Sequence, residues 1–382
     1  MTEKKINLVL GATSLVNPLT GIGQYTLNLA RELSTNNKLD IDYFYAYYWS
    51  RVLKVEDSLA AGKAKSWIRK YVPYAYKIRR QIQQKAFSTH NLEKIDLYHE
   101  PNFLPLNFDG NTVITVHDLS FIRHPQAHPI ERVRMMNELL PKAVLNANCI
   151  IADSQFTKQE IISEFAIDEN KVKVTPLGKS KDFHPRSVIE LKNTLNIFGL
   201  IYGQYVLTVG TLEPRKNIAQ VVAAYKKLPH QFAIRFPLVV VGVRGWKEKG
   251  LLSTLDILIN QGKAHVLGYV SSEDLAKLYS GARAFVFPSI YEGFGLPPLE
   301  AMASGIPVIT ANNSSIPEVV ESAGLMFDIH DVDTMSQQIL KVCEDDAEFN
   351  RLSQAGLIQA DKFSWKACAE LTLEAYDYAL NH

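Results

Sequence analysis

The sequence has few cysteines and almost no net charge. Only three cysteines occur in 382 residues, Cys149, Cys343 and Cys368, and they lie far apart without the spacing of metal ligands. This excludes a disulfide framework and predicts buried thiols in a reducing compartment. Lys and Arg total 41 and Asp and Glu total 40, so the net charge is +1. Bulk charge therefore gives no argument for nucleic acid as a partner.

Long apolar runs are also missing from the sequence. No run approaches the roughly 20 residues that a membrane-spanning helix needs. The N-terminal residues 1–11 lead directly into a strand-like segment and have no signal-peptide pattern. We therefore expect a cytoplasmic protein, either soluble or peripheral on the inner face of the plasma membrane.

The sequence does contain enough apolar residues for two cores. Hydrophobic residues make up 47% and charged residues 21% of the chain, which is typical of a globular protein. A chain of this length is too long for one ordinary core, so two domains are expected. Short apolar runs alternate with helical patterns in both halves, which predicts two runs of Rossmann-type βα units. In the first half, six strands are predicted at residues 6–10, 41–47, 95–99, 112–116, 148–152 and 171–175.

The stretch 284–310 has the clearest local pattern of the chain. An apolar strand at 284–287 is followed by a loop with Gly293 and Gly295, a helix at 299–304 and a second strand at 307–310. A helix N-terminus carries partial positive charge and unpaired N–H groups. The amides of this loop can therefore hold an anion or the hydroxyl groups of a sugar.

Two glutamates flank this loop. Glu292 lies in the loop, and Glu300 is predicted in the first helical turn, where its carboxylate can accept two hydrogen bonds from a vicinal diol such as a ribose. Glu292 would then face the group attached to the bound phosphate. The alternative is a surface loop with two solvated glutamates, since carboxylates are common at helix starts.

The stretch resembles the signature of retaining glycosyltransferases of family 4, which have the GT-B fold. In that family two glutamates eight positions apart flank a G-F-G loop, as Glu292 and Glu300 do here. The resemblance implies that Glu300 binds the nucleotide ribose and that Glu292 lies beside the donor sugar, in a catalytic role. It also implies donor contacts from the loop amides, which belong to Phe294, Gly295 and Leu296.

A second match lies at residues 210–217, which read G-T-L-E-P-R-K-N after an apolar strand. Arg215 and Lys216 can clamp a diphosphate from one side. The alternative, an ordinary basic loop, would not predict the whole string. In the family, a later strand and turn pinches the nucleotide base, which makes Gly268, Tyr269 and Val270 candidates for donor binding.

The first half contains weaker candidates. Gly23 lies in a G-x-G turn between a strand and a helix, a pattern that by itself is more often a simple turn. His117 and Asp118 follow the strand at 112–116, and ligands bind at strand C-termini in parallel sheets. A histidine there is commonly a hydrogen-bonded packing residue. The resemblance instead implies that Gly23 approaches the donor diphosphate and that His117 or Asp118 lies close to the reacting carbon.

Residues 63–85 are basic and aromatic, with eight Lys or Arg residues and no acidic residue. Such a segment can attach to an anionic membrane. It can equally be a solvated helix face whose aromatic residues pack inward. Nucleic acid is a poorer third choice, because no binding motif accompanies the charge.

The resemblance extends over nearly the whole chain and implies its organisation. We expect a Rossmann-like acceptor domain at 1–185, a Rossmann-like nucleotide-sugar domain at 186–364 and a C-terminal helix at 365–382 that returns to the first domain. The two domains would face a cleft, as in other GT-B proteins.

The expected function is that of a retaining glycosyltransferase, with GDP-mannose as the donor and a saccharide or lipid-linked saccharide as the acceptor. No Asp-x-Asp motif stands at a strand end where a metal-binding donor site would need it, so no metal and no other cofactor is expected. The resemblance implies same-face substitution, in which the leaving phosphate takes the proton of the acceptor. The alternatives are a sugar-nucleotide epimerase of similar fold and a catalytically silent partner subunit.

Overall fold

The computed structural model describes residues 5–16, 19–55, 75–243 and 249–382. The chain divides into two compact units. The first comprises Met1–Gly178 together with Trp365–His382, and the second comprises Lys179–Ser364.

The described residues of the first unit form a seven-stranded sheet in the order β3-β2-β1-β4-β5-β6-β7. Its strands are β1 (Ile6–Gly11), β2 (Leu39–Phe44), β3 (Trp49–Ser50), β4 (Leu97–Glu100), β5 (Asn111–Val116), β6 (Cys149–Ala152) and β7 (Val172–Val174). All pair in parallel except β3, which runs antiparallel to β2. The apolar runs become these strands because a parallel sheet is covered on both faces.

Helices cover this sheet. They are α1 (Gly21–Leu33), α2 (Ala75–Phe87), α3 (Ser120–Arg123), α4 (Ile130–Asn146) and α5 (Gln155–Phe165), together with the C-terminal helix (Trp365–Asn381). The C-terminal helix packs on α1, β5 and β6. A buried hydrogen bond of 2.7 Å between Tyr376 Oη and His99 Nδ1 ties the helix to β4.

The edge of this sheet differs from the sequence prediction. The second strand was expected at 41–47, but it ends at Phe44, and β3 adds a strand to the six that were predicted. Ala46 has a φ of 67°, a left-handed conformation that cannot continue a strand. The chain turns there, and the amide of Tyr45 donates to the carbonyl of Tyr48.

The described residues of the second unit form a six-stranded parallel sheet in the order β10-β9-β8-β11-β12-β13. Its strands are β8 (Val206–Val209), β9 (Leu238–Val241), β10 (Ala264–Gly268), β11 (Ala284–Phe287), β12 (Val308–Ala311) and β13 (Leu325–Phe327). Its helices are α6 (Val188–Phe198), α7 (Ile218–Lys227), α8 (His230–Arg235), α9 (Lys249–Asn260), α10 (Ser272–Gly281), α11 (Leu296–Ala303), α12 (Ile316–Val320), α13 (Val332–Glu344) and α14 (Asp346–Ala360).

The second unit begins at Lys179, whereas the sequence analysis placed the boundary after Pro185. The intervening residues pack against the second unit. The ring of Phe183 lies edge-on to Tyr279 at 5.5 Å, and Ser280 Oγ donates to the carbonyl of His184 at 2.7 Å. Residues 179–185, which were expected in the first domain, therefore belong to the second unit.

Strand order in each sheet reverses at one place, between β1 and β4 in the first unit and between β8 and β11 in the second. Ligands of open α/β sheets bind outside the carboxyl ends of the strands at such switch points. The fold therefore directs attention to the loops that follow these four strands.

None of the helices in the described part of the chain has both the length and the apolar character that a membrane crossing requires.

Candidate active site

The loop between β11 and α11 turns at Gly295. This residue has a φ of 118° and a ψ of 51°, and a Cβ atom there would lie 2.8 Å from Ile316 Cδ1. Glycine is thus required both by the backbone conformation and by the close contact. Helix α11 begins at the next residue, Leu296, so Glu300 lies in its second turn. The prediction that Glu300 occupies the first turn was wrong, because the helix starts directly after Gly295.

The segment after β12 holds this loop in place. Ser315 Oγ lies 2.9 Å from the carbonyl oxygen of Glu292 and 2.8 Å from that of Phe294. The amide of Glu292 donates to Ser314 Oγ at 3.1 Å. The Phe294 ring also packs edge-on to Phe363 at 5.7 Å. The loop is therefore fixed by contacts with neighbouring segments, as a preorganised binding site requires.

The side chain of Glu292 binds both cations of the G-T-L-E-P-R-K-N segment. Its Oε1 lies 2.5 Å from Lys216 Nζ, and its Oε2 lies 3.1 Å from Arg215 Nη1. Ser289 Oγ donates to Oε1 at 2.5 Å, and Arg215 Nη2 also lies 2.9 Å from Glu213 Oε1. The sequence analysis assigned the cations to the diphosphate and Glu292 to the sugar. The structure joins the three side chains in one buried cluster, which we call the Glu292 cluster.

Charges in the Glu292 cluster are closely balanced. Within the described residues it joins two cations and two carboxylates. Burial alone would raise the pKa of Glu292, but Lys216 and Arg215 beside it lower the pKa to about 2. Burial also lowers the pKa of Lys216, and Glu292 opposes this effect. Glu292 is consequently ionised at any physiological pH and serves as the counter-ion of both cations.

The Glu292 cluster lies at the switch point of the second sheet. Arg215 and Lys216 follow β8, and Ser289 and Glu292 follow β11, which is hydrogen-bonded to β8. Two hydrogen bonds join these loops. The carbonyl of Arg215 accepts from the amide of Ile290 at 2.8 Å, and Arg215 Nη1 of the side chain donates to the carbonyl of Tyr291 at 2.8 Å. The cluster therefore stands where an open α/β sheet binds its ligand.

Glu300 lies beside Tyr279 of α10. Burial raises the pKa of Glu300 to about 8, although the Tyr279 hydroxyl lowers it in part. The side chain belongs to α11, the helix that follows the loop of Glu292. Its role in ribose binding remains a prediction.

We expect the Glu300→Gln substitution to change how stability depends on pH. A carboxyl group whose pKa is raised from 4.5 to about 8 keeps its proton in the folded protein but loses it in the unfolded chain. The wild type should therefore lose stability, by roughly 1 kcal/mol per pH unit, as the pH rises from about 5 to 8. The variant has no such group and should lose less.

Thermal melts of both proteins between pH 5 and pH 9 measure this effect. Glu273→Gln, at an exposed position of α10, is the matched control and should follow the wild-type profile. Parallel profiles for the wild type and Glu300→Gln would contradict the burial of a protonated Glu300.

The predicted base-binding residues lie at the end of β10, on the edge of the same sheet. Gly268 has a φ of 67°, and its carbonyl accepts from the amide of Gly242 at 2.9 Å. The Tyr269 side chain is 69% exposed, and Val270 next to it is partly buried. These residues and the Glu292 cluster therefore lie at the carboxyl ends of strands of the same sheet. Their contact with a base remains a prediction.

His117 lies at the end of β5 in the first unit, buried and fully hydrogen-bonded. Its Nε2 lies 2.9 Å from the carbonyl oxygen of Pro101, and its Nδ1 lies 2.7 Å from Asp153 Oδ2. A carbonyl can only accept, so Nε2 carries a hydrogen and Nδ1 shares a proton with Asp153. Burial alone would lower the pKa of His117, but Asp153 raises it. Both ring nitrogens are thus occupied by acceptors, and the position of His117 close to the reacting carbon remains a prediction.

The other two candidates of the first unit have clear structural contacts. Asp118 Oδ1 accepts from the amide of Ser120 at 2.8 Å and from its hydroxyl at 2.7 Å, which fixes the turn into α3. Gly23 was expected in a loop, but α1 begins at Gly21, so Gly23 lies in the first helical turn. A Cβ atom on Gly23 would meet Leu19 at 3.0 Å. Close packing thus accounts for this glycine. The donor contact of Gly23 and the position of Asp118 close to the reacting carbon remain predictions.

Three residues of these sites were not identified from the sequence. Ser289 and Tyr279 carried no signal, because serine and tyrosine are common near strand and helix ends. Asp153 was not identified as a site residue either. Its position after a buried strand, β6, was the one sequence feature that could have identified it as a partner for His117. Among the described residues, no group of three or more His, Cys, Asp and Glu side chains is arranged to hold a metal ion.

Comparison with known proteins now adds to this geometry. Residues 19–180 match the sequence model of Glycosyltransferase Family 4, and residues 203–358 match that of Glycosyl transferases group 1. The chain is 37% identical over 381 residues to the O-antigen chain mannosyltransferase B of Escherichia coli, an alignment that covers 97% of this chain and 99% of the relative. The chain belongs to the group 1 glycosyltransferases. It is therefore an enzyme, and neither the epimerase nor the silent subunit is favoured.

Other relatives and structures agree with this assignment. The O-antigen chain mannosyltransferase RfbU of Salmonella typhimurium is 28% identical, with 83% of this chain and 86% of the relative covered. The sucrose-phosphate synthase of Thermosynechococcus elongatus has a TM-score of 0.75 at 21% identity, with 98% of both chains covered. Anabaena Alr3699/HepE in complex with UDP-glucose has a TM-score of 0.70 at 17% identity, covering 97% and 99% of the two chains. The predicted GT-B fold of this glycosyltransferase is confirmed.

Proposed function

We propose that this glycosyltransferase transfers mannose from GDP-mannose to a saccharide or lipid-linked saccharide acceptor during the assembly of a bacterial surface polysaccharide. Support comes from relatives named O-antigen chain mannosyltransferase in Escherichia coli and Salmonella typhimurium. Serotype-specific mannosyltransferases WbdA of Escherichia coli are also 31–32% identical, although this chain spans only about a third of their length. The names of all three sets of relatives thus specify mannose as the transferred sugar.

The observation that carries the proposal is the Glu292 cluster at the switch point of the second sheet. Lys216 and Arg215 would bind the donor diphosphate through charge-assisted hydrogen bonds, which are the strong ones in partly desolvated sites. Glu300 would bind the ribose, and Gly268 to Val270 would contact the base.

The chemistry needs no group beyond those side chains. As the sugar–phosphate bond breaks, negative charge grows on the diphosphate, and the two fixed cations stabilise it without reorganising. Positive charge grows on the sugar, where Glu292 would act. The acceptor hydroxyl would attack from the face of the leaving group, and the departing phosphate would take its proton, so that configuration is retained.

A panel of nucleotide sugars tests this function. The enzyme is incubated with each donor, with and without mannan-type oligosaccharide acceptors, and release of nucleotide and the anomeric form of the product are followed by NMR. We expect α-linked mannose on the acceptor with GDP-mannose. Epimerised donor without acceptor would indicate the epimerase, and an unchanged set of donors would contradict the proposal.

Helix α2 offers a surface for peripheral membrane contact. Of the predicted segment 63–85, residues 63–74 lie outside the described residues. On α2 the side chains of Ile78 and Ile82 are 59% and 52% exposed, and the basic residues Arg79 and Lys85 are exposed on the same helix. Apolar and basic residues on one exposed helix are typical of binding to an anionic bilayer. We therefore propose that α2 helps to place the enzyme where a lipid-linked acceptor is found.

The double substitution Arg79→Ala and Lys85→Ala should weaken binding to anionic vesicles by about 30-fold, since each basic residue near such a surface contributes about 1 kcal/mol. Flotation with phosphatidylserine-containing and neutral vesicles at two salt concentrations measures this. Lys77→Ala is the control, because Lys77 is paired with Glu138 at 2.8 Å. Equal binding of wild type and double variant, or equal binding to neutral vesicles, would remove α2 from membrane contact.

A further inference from the structure

Glu292 contacts both cations that are proposed to bind the donor diphosphate. Both carboxylate oxygens of Glu292 are used by the cations assigned to the donor, Lys216 at 2.5 Å and Arg215 at 3.1 Å. The Glu292 side chain is only 13% exposed, and Ser289 Oγ holds it in the same position. The carboxylate therefore lies where the oxygens of a bound diphosphate would be.

Lys216 has little freedom to serve two anions at different places. Its ammonium group lies over the Phe287 ring at 5.4 Å, and its side chain packs against Gly210, where a Cβ atom would meet Lys216 Cγ at 3.3 Å. A second anion bound to the same ammonium would come within a few ångströms of the Glu292 carboxylate. Two negative charges at that distance repel strongly in a partly desolvated site.

We infer that the Glu292 carboxylate and the donor diphosphate compete for Lys216 and Arg215, so that diphosphate binding releases Glu292 for the sugar. Only the release of Glu292 for the sugar rests on the proposed function. The competition itself concerns any diphosphate. Part of the binding energy of the donor is then used to break an internal ion pair and to produce a carboxylate without its counter-ions, close to the reacting carbon.

The competition makes an unusual prediction for the Glu292→Gln variant. Glutamine keeps the shape and can still accept a hydrogen bond, but it carries no charge to compete for the cations. Diphosphate binding should therefore become tighter, by about tenfold, while sugar transfer becomes slower. A residue that only contacted the donor would show weaker or unchanged binding when its charge is removed.

Inorganic pyrophosphate is the probe, because it has neither base nor ribose and reports on the two cations alone. Calorimetry should give a lower dissociation constant for Glu292→Gln than for the wild type. Ser289→Ala, which removes one hydrogen bond to Glu292 and leaves all charges in place, should shift the affinity in the same direction by a smaller factor. Glu273→Gln, at an exposed position of α10, is the matched control and should bind pyrophosphate as the wild type does.

The outcomes separate this inference from the proposed function. If Glu292→Gln and Ser289→Ala bind pyrophosphate no more tightly than the wild type, the competition is disproved, even if the enzyme transfers mannose. If both bind more tightly but no nucleotide sugar is consumed by the wild type, the competition stands and the proposed function fails. A poorly folded Glu292→Gln protein would leave Ser289→Ala to decide, and thermal melts identify that case.

Discussion

The Lys216→Ala variant is expected to lose about 100-fold in kcat/KM for the nucleotide-sugar donor. Lys216 supplies a charged hydrogen-bond donor at the end of β8, in a site that burial has made poor in water. Removing one such donor from the place where negative charge develops costs about 2.7–4 kcal/mol in comparable sites. Binding of the product nucleoside diphosphate should weaken by roughly 10- to 100-fold, since charge-assisted hydrogen bonds are worth about 1.5–3 kcal/mol.

Steady-state kinetics and calorimetry with the product nucleotide measure both effects. Lys227→Ala is the matched control, because Lys227 is an exposed lysine of the same unit that pairs with Asp333 at 2.6 Å. Exposed pairs contribute little, so its kinetics should equal those of the wild type. If Lys216→Ala transferred sugar at the wild-type rate, Lys216 would not bind the diphosphate, and the assignment of the donor site to the Glu292 cluster would be wrong.

The Asp153→Asn variant should be the least stable of the single variants discussed here. Asp153 is buried and holds the proton-sharing Nδ1 of His117 at 2.7 Å. Breaking a buried ion pair by removing one partner costs about 3–5 kcal/mol, because the remaining charge is left without compensation. For a unit of this size, such a loss lowers Tm by very roughly 10 °C.

This effect should depend on pH, with a sign fixed by the pKa of His117. Asp153 raises that pKa above its ordinary value of 6.5. The contribution of His117 to stability is therefore present near pH 6.5 and is lost as the pH rises through its raised pKa in the folded protein. Burial also raises the pKa of Asp153, so the pair loses its carboxylate charge as the pH falls well below this range. Chemical unfolding at pH 6 and at pH 9 should show a larger difference between variant and wild type at pH 6.

Glu131→Gln provides the control for this experiment. It makes the same change of carboxylate to amide in the first unit, at an exposed pair with Arg134. Its stability should stay within about 0.5 kcal/mol of the wild type at both pH values. A similarly small loss for Asp153→Asn would mean that His117 and Asp153 do not form an ion pair in the folded protein.

The central strands could be predicted from the sequence. The apolar runs 8–10 and 284–287 became the buried parts of β1 and β11, because a strand that is covered on both faces is apolar where it is buried. The glycine turn before α11 was also predicted from the sequence, and Gly295 does adopt a left-handed conformation. These features are local, so the residues that produce them are close together in the chain.

Element ends were less predictable. The second strand was expected to extend to residue 47, and β3 was not predicted. Gly23 was expected in a loop but lies in the first turn of α1. Glu300 was expected in the first turn of α11 but lies in its second turn. Each of these details depends on one residue whose conformation has no strong sequence signal. Ala46 is the clearest case, since alanine rarely adopts the positive φ that ends β2 here.

The sequence by itself determined which residue types would stand at the ends of the strands. It identified Arg215 and Lys216 after one strand, Glu292 after another and His117 after a third. Tertiary structure alone decided their partners. Lys216 and Glu292 are 76 positions apart, and His117 and Asp153 are 36 apart. They meet because β8 pairs with β11 and β5 pairs with β6, and strand order follows from the packing of whole units rather than from any local pattern.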